Sequence, residues 1–109
     1  MKVYKGEPTM DKKICVTINH LDDFESQLIL KTGDVLILKK DRNNQYDDEA
    51  IVAYTKDAYK CGYVANSVRS VARGTFSAGR VYDQIEDEAR CFVRFILVEE
   101  GCLIAEITE

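Results

Sequence analysis

Apolar and polar positions along the chain form short, β-branched runs separated by turn-forming residues, the pattern of a small sheet protein. Residues 13–19 (KICVTIN) predict a first strand, and the polar stretch 20–26 (HLDDFES) predicts a loop. After a turn over 31–34 (KTGD), residues 35–40 (VLILKK) predict a second strand that is too apolar on both faces to be wholly exposed. Residues 50–54 (AIVAY) and 59–64 (YKCGYV) flank the turn 55–58 and predict a hairpin. Residues 90–98 and 102–107 predict two long closing strands around Glu99-Glu100-Gly101. Between the two hairpins, residues 65–74 (ANSVRSVARG) predict a helix. Asn66 or Ser67 would be its N-cap and Gly74 its stop, with Val68, Val71 and Ala72 on one face. Residues 75–88 predict an irregular excursion from the sheet. The sum is a mostly β fold: six strands with one or two short helices, closed as an antiparallel barrel because closure removes exposed strand edges.

A chain of 109 residues matches one domain. Residues 1–11 carry the sole proline and no clear period, and are expected to be a flexible lead-in to a single domain over 12–109. With 46% hydrophobic and 31% charged residues, the composition is that of a folded protein. No apolar run approaches the ~20 residues needed to span a bilayer, so no membrane partner is expected. The first residues lack the apolar core of a signal peptide, so the expected location is the cytoplasm. A net charge of -4 argues against avid duplex binding driven by counterion release, without excluding a local basic surface.

Candidate chemistry narrows the function further. Cys15, Cys61, Cys91 and Cys102 are widely spaced, contain no CxxC pair and share the chain with one histidine, His20, so metal binding is not expected and the thiols read as small hydrophobes. No nucleophile elbow and no phosphate-binding glycine loop occurs, which removes the common hydrolase and nucleotide-binding classes. No enzyme activity and no cofactor are expected. Three acidic clusters, Asp22-Asp23-Glu25, Asp47-Asp48-Glu49 and Glu86-Asp87-Glu88, read as solvated loop charge.

The stretch from Asp41 to Ile51 (DRNNQYDDEAI) differs in kind, because two amides, a tyrosine and a carboxylate share one tight connection between strands. Such residues also build turns for their own sake, since Asn and Asp side chains satisfy nearby backbone groups.

The sequence NNQYDDEAI at residues 43–51, followed by CGYV at 61–64, resembles the HIRAN domain pattern N-x-Y-D-x-x-A-I with a later G-Y/H-apolar strand. Residues 65–67 (ANS) and 73–83 (RGTFSAGRVYD) are similar to stand-alone bacterial members, and the resemblance covers roughly residues 14–107. It implies an OB-like β-barrel and, as in members fused to remodelling helicases, capture of a single-stranded DNA 3′ end. On that resemblance Tyr46 would stack on a terminal base, Asp47 would accept a hydrogen bond from the 3′-hydroxyl, Asn43 and Asn44 would shape the pocket, and Tyr63 would stand near it. The stacking is worth about 1–3 kcal/mol per base, and a carboxylate suits a hydroxyl better than a phosphate.

End-binding members carry aromatic residues after the first strand, where this chain has His20-Leu21-Asp22-Asp23-Phe24, leaving Phe24 to supply a second stacking surface. Arg42 and Arg69, with Lys39, Lys40, Arg73 and Arg80, form a candidate basic strip. The expected partner is single-stranded DNA, with a helicase or nuclease as a possible protein partner. The competing expectation is a non-catalytic interaction or regulatory domain that retains the fold without binding DNA ends.

Overall fold

The computed structural model describes residues 13–23 and 30–108. Six strands follow one another as β1 (Ile14–Asn19), β2 (Val35–Lys40), β3 (Ile51–Thr55), β4 (Lys60–Val64), β5 (Glu88–Leu97) and β6 (Cys102–Ile107), with a five-residue helix α1 (Ala78–Tyr82) before β5. They close into an antiparallel barrel in the order β1-β4-β3-β2-β5-β6, with β6 returning to β1. The mostly β, six-stranded, OB-like expectation is met, with one short α-helix. The expected lead-in over 1–11 lies outside the described residues.

Inward positions alternate along the strands as the pleat requires. Val16 and Ile18, Leu36 and Leu38, Ile51 and Ala53, Cys91 and Val93, and Leu103 and Ala105 meet in one core, to which α1 adds Ala78 and Val81. Cys61 and Cys91 lie in this core as free thiols. Burial pushes the Cys61 thiol up to about 11, and burial with the neighbouring Cys61 pushes the Cys91 thiol up to about 12.

The barrel has one short seam. Strands β1 and β6 pair over five positions, from Ile14 opposite Ile107 to Ile18 opposite Leu103, whereas β1 meets β4 only at Ile18–Val64 and Asn19–Tyr63. Gly62 permits even that contact: a Cβ there would stand 2.5 Å from the Asn19 carbonyl oxygen and 2.8 Å from Ile18 Cγ2.

Residues 65–74 are not a helix. Their backbone is drawn instead to β1: Ala65 N donates to Thr17 O (2.8 Å), Ala72 N donates to Thr17 Oγ1 (3.0 Å), and Phe76 N donates to Cys15 O (2.8 Å). One turn forms, with Ser67 O accepting from Ser70 N and Val71 N, and it stops where the buried Thr17 hydroxyl takes the next amide. Val68, expected on an apolar face, is 96% exposed. Gly74 has the expected left-handed φ of +88° yet ends no helix. The helix sits four residues later, inside the segment expected to be irregular, where the Ser77 side chain caps α1 by accepting from Arg80 N.

Among the described residues no helix is long and apolar enough to cross a membrane.

Candidate functional site

The connection between β2 and β3 is a loop closed at its base by the Asp41 N to Ala50 O hydrogen bond (2.9 Å). Its interior is organised by its own side chains. Asn44 Oδ1 accepts from Tyr46 N (2.8 Å) and Asp47 N (2.9 Å), and Asp47 Oδ1 accepts from Glu49 N (2.9 Å). These Asx contacts fix the loop backbone, and Tyr46 is left projecting with 94% of its surface exposed.

A second bond ties the loop to the opposite side of the site. Asn66 donates its amide to Asp47 Oδ2 (3.2 Å) while its Oδ1 accepts from Gly79 N in α1 (2.8 Å). Asn66 therefore bridges the loop to the helix and sets the orientation of the Asp47 carboxylate, which retains acceptor capacity beyond these bonds. Gly79 makes room for this bridge, since a Cβ there would lie 3.2 Å from Asn66 Oδ1 and 2.5 Å from Glu49 Oε1.

Facing the loop across a cleft of ≈ 450 Å³ is the seam of the barrel. His20 follows β1 with a left-handed φ of 64°, which turns Leu21 back into the core and stands the imidazole edge-on to Tyr63, ring centroids 6.1 Å apart. His20 Nδ1 lies 3.3 Å from Asp23 Oδ2. Asn19, also on the cleft wall, has a buried Oδ1 without a hydrogen-bond partner among the described residues, an unmet acceptor of the kind that costs about 1–3 kcal/mol.

The charge of the cleft is one-sided. Asp23 and Asp47 line it, and among the described residues no lysine or arginine does. The wall offers aromatic faces, amides and carboxylates: surfaces for a planar ring and for hydroxyl or amino donors, and a poor place for a phosphate.

The family model of the HIRAN domain matches residues 24–98, more than half of the chain. The chain belongs to the HIRAN domain family. Two solved structures share the fold. The human HLTF HIRAN domain aligns with a TM-score of 0.66 at 14% identity, covering 87% of this chain and 72% of that one. A protein from Lactobacillus plantarum aligns with a TM-score of 0.63 at 20% identity, covering 88% of this chain and 93% of that one. No curated protein matches.

In this HIRAN domain, four of the residues singled out from sequence, Asn44, Tyr46, Asp47 and Tyr63, share the cleft. Three others, Asn43, Arg42 and Arg69, stand apart from its wall. Asn43 is exposed in the turn before Asn44, Arg42 is held at the surface by Asp87, and Arg69 is exposed on the turn that carries Ser67 and Ser70. Phe24 lies outside the described residues. Cations of the candidate basic strip have local partners: Lys39 pairs with Glu88, Lys40 stands over the Tyr82 ring, Arg42 binds Asp87, and Arg80 covers Phe76.

Sequence reasoning missed three participants. Asn66, noted as a candidate helix cap, is the partner of Asp47. His20 and Asn19 form the far wall. The available signal was their neighbourhood to the Gly62-Tyr63 pair across the seam, which only the strand register makes visible.

Proposed function

We propose that this HIRAN domain binds single-stranded DNA and holds its 3′ end in the cleft between the Asn44–Asp47 loop and Tyr63. The observation that carries the reading is the pairing of an almost fully exposed tyrosine, Tyr46, with a fixed carboxylate, Asp47, on a cleft wall that has no lysine or arginine among its described residues. An aromatic face carried on a loop whose backbone is already fixed stacks on a base at a reduced ordering cost. Asp47 accepts the terminal hydroxyl, and its charge, with that of Asp23, disfavours a phosphorylated end. The unmet acceptor of Asn19 suits an amino donor on a base edge. Asn43, Arg42 and Arg69 act in this reading from the rim. The domain binds without doing chemistry on the strand, in a cytoplasm reducing enough to keep its thiols free, and a helicase or nuclease would supply any reaction.

Fluorescence anisotropy of a short single-stranded oligonucleotide with the wild type, Tyr46→Ala and Asp47→Ala tests the cleft. Loss of the stacking face weakens binding by about 1–3 kcal/mol, and loss of the carboxylate removes a charge-assisted hydrogen bond worth about 1.5–3 kcal/mol. Equal affinity for all three proteins contradicts the reading.

A second reading, a protein-interaction domain, draws on Phe95, Leu97 and Val98, which leave 56%, 37% and 78% of their surfaces exposed at the end of β5. No affinity for single strands at low salt, where electrostatic attraction is greatest, favours it over the first.

A further inference from the structure

Resting on the cleft reading, a question of charge remains: a strand whose 3′ end sits among Asp23 and Asp47 must place its phosphates elsewhere. The register of the barrel shows where the cations are. On the side of the sheet away from the core run two neighbouring rows, Asn19–Tyr63–Val52–Lys39–Glu88, in which Val52 is buried, and Lys60–Tyr54–Ile37–Arg90. The first begins on the cleft wall at Asn19 and Tyr63.

A bulge joins the rows. Lys60 and Tyr63 are three residues apart, so a regular strand would point them to opposite faces. In β4, however, Tyr54 pairs with Lys60 while Ala53 pairs with Gly62, leaving Cys61 as an extra residue. Lys60 and Tyr63 thus share the outer face, with Lys60 Nζ 5.7 Å from the Tyr63 ring centre. Further along the same two rows, Lys39 Nζ stands 5.2 Å from the centre of the Tyr54 ring. Beyond them lies a second cleft of ≈ 580 Å³, whose lining includes Lys39, Lys56, Arg90 and Tyr54 against a single carboxylate, Glu88, among the described residues. Glu88 is matched by Lys39 at 3.6 Å, and neither Lys56 nor Arg90 is ion-paired among the described residues.

We infer that this outer face of β4, β3, β2 and β5 is a second binding surface, a basic and aromatic track for the phosphodiester backbone on the 5′ side of the captured end. Two to three strand spacings separate Tyr63 from Lys39 and Arg90, about 10–15 Å. A single strand is more extended than the duplex rise of ~3.4 Å per nucleotide, so that distance corresponds to at most about three to four nucleotides. The track supplies the positive charge that the cleft lacks, within an otherwise acidic protein.

The test compares a trideoxynucleotide with a ten-residue single strand, both ending in a 3′-hydroxyl, on the wild type, on the double variant Lys56→Gln/Arg90→Gln and on Tyr46→Ala. Wild-type protein binds the longer strand tighter by about tenfold or more at low salt. The double variant loses that gain and keeps its trinucleotide affinity. Its salt slope on the ten-residue strand is shallower by about 1.4, the share of two cations at about 0.7 each. Equal affinity of the wild type for both lengths, or a double variant as tight and as salt-sensitive as the wild type, overturns the track alone. A length gain that survives in Tyr46→Ala while trinucleotide affinity is also unchanged keeps the track and overturns the cleft. No binding of either strand overturns both.

Discussion

Asn66 is the residue on which the geometry of Asp47 depends, because its one amide group answers the carboxylate on one side and Gly79 N on the other. Replacing it by alanine leaves the carboxylate without its amide donor and the Gly79 N–H without its acceptor, at a cost of about 1–3 kcal/mol in stability. The diagnostic readout is the preference for a 3′-hydroxyl over a 3′-phosphate end, which shrinks in Asn66→Ala if the side chain positions Asp47. An unchanged preference in a folded variant assigns Asn66 to stability alone. The residues from Asn44 to Asp47 were legible in the sequence because their roles are local, each Asx side chain bonding a backbone amide two or three positions away. Asn66 was not, since it reaches Asp47 across nineteen positions and only the closed barrel brings the two together.

At the scale of elements, all six strands were readable from β-branched runs and turn residues, with boundaries shifted by a residue or two. The failure at residues 65–74 has a definite cause. Helical spacing of Val68, Val71 and Ala72 competes there with a buried hydroxyl: Thr17, 1% exposed, accepts from Ala72 N and shares a hydrogen bond of 2.9 Å with Thr75 Oγ1. Local spacing carries no information about an acceptor 55 residues earlier. Thr17→Val keeps the shape and removes the acceptor, so it should lower stability by about 1–3 kcal/mol and speed hydrogen exchange at the Ala72 amide. Urea unfolding and exchange unchanged from the wild type would show that the segment is held by other contacts. The bulge at Cys61 was equally hidden, because the sequence KCGY gives no sign that Lys60 and Tyr63 end on one face.

For the whole molecule, the buried thiols set a limit on alkaline stability. Cys61 and Cys91 ionise at about 11 and about 12 in the folded chain, against an ordinary value of 9.0. Between pH 9 and those values the unfolded chain has released protons that the folded chain still holds, so stability falls as pH rises, and the contribution is fully present below 9. The slope approaches about 1.4 kcal/mol per pH unit for each thiol. Urea midpoints measured from pH 8 to 11 should decline more gently in Cys91→Ala than in the wild type, and parallel declines would contradict this account. The same whole-molecule view separates charge by location, with carboxylates at the cleft and cations across the outer sheet. The cleft is tested most directly by two single-stranded oligonucleotides identical except for a 3′-hydroxyl or a 3′-phosphate. The hydroxyl end should bind at least about tenfold tighter, a difference of about 1.4 kcal/mol, and equal or tighter binding of the phosphorylated end would contradict the assignment of Asp47.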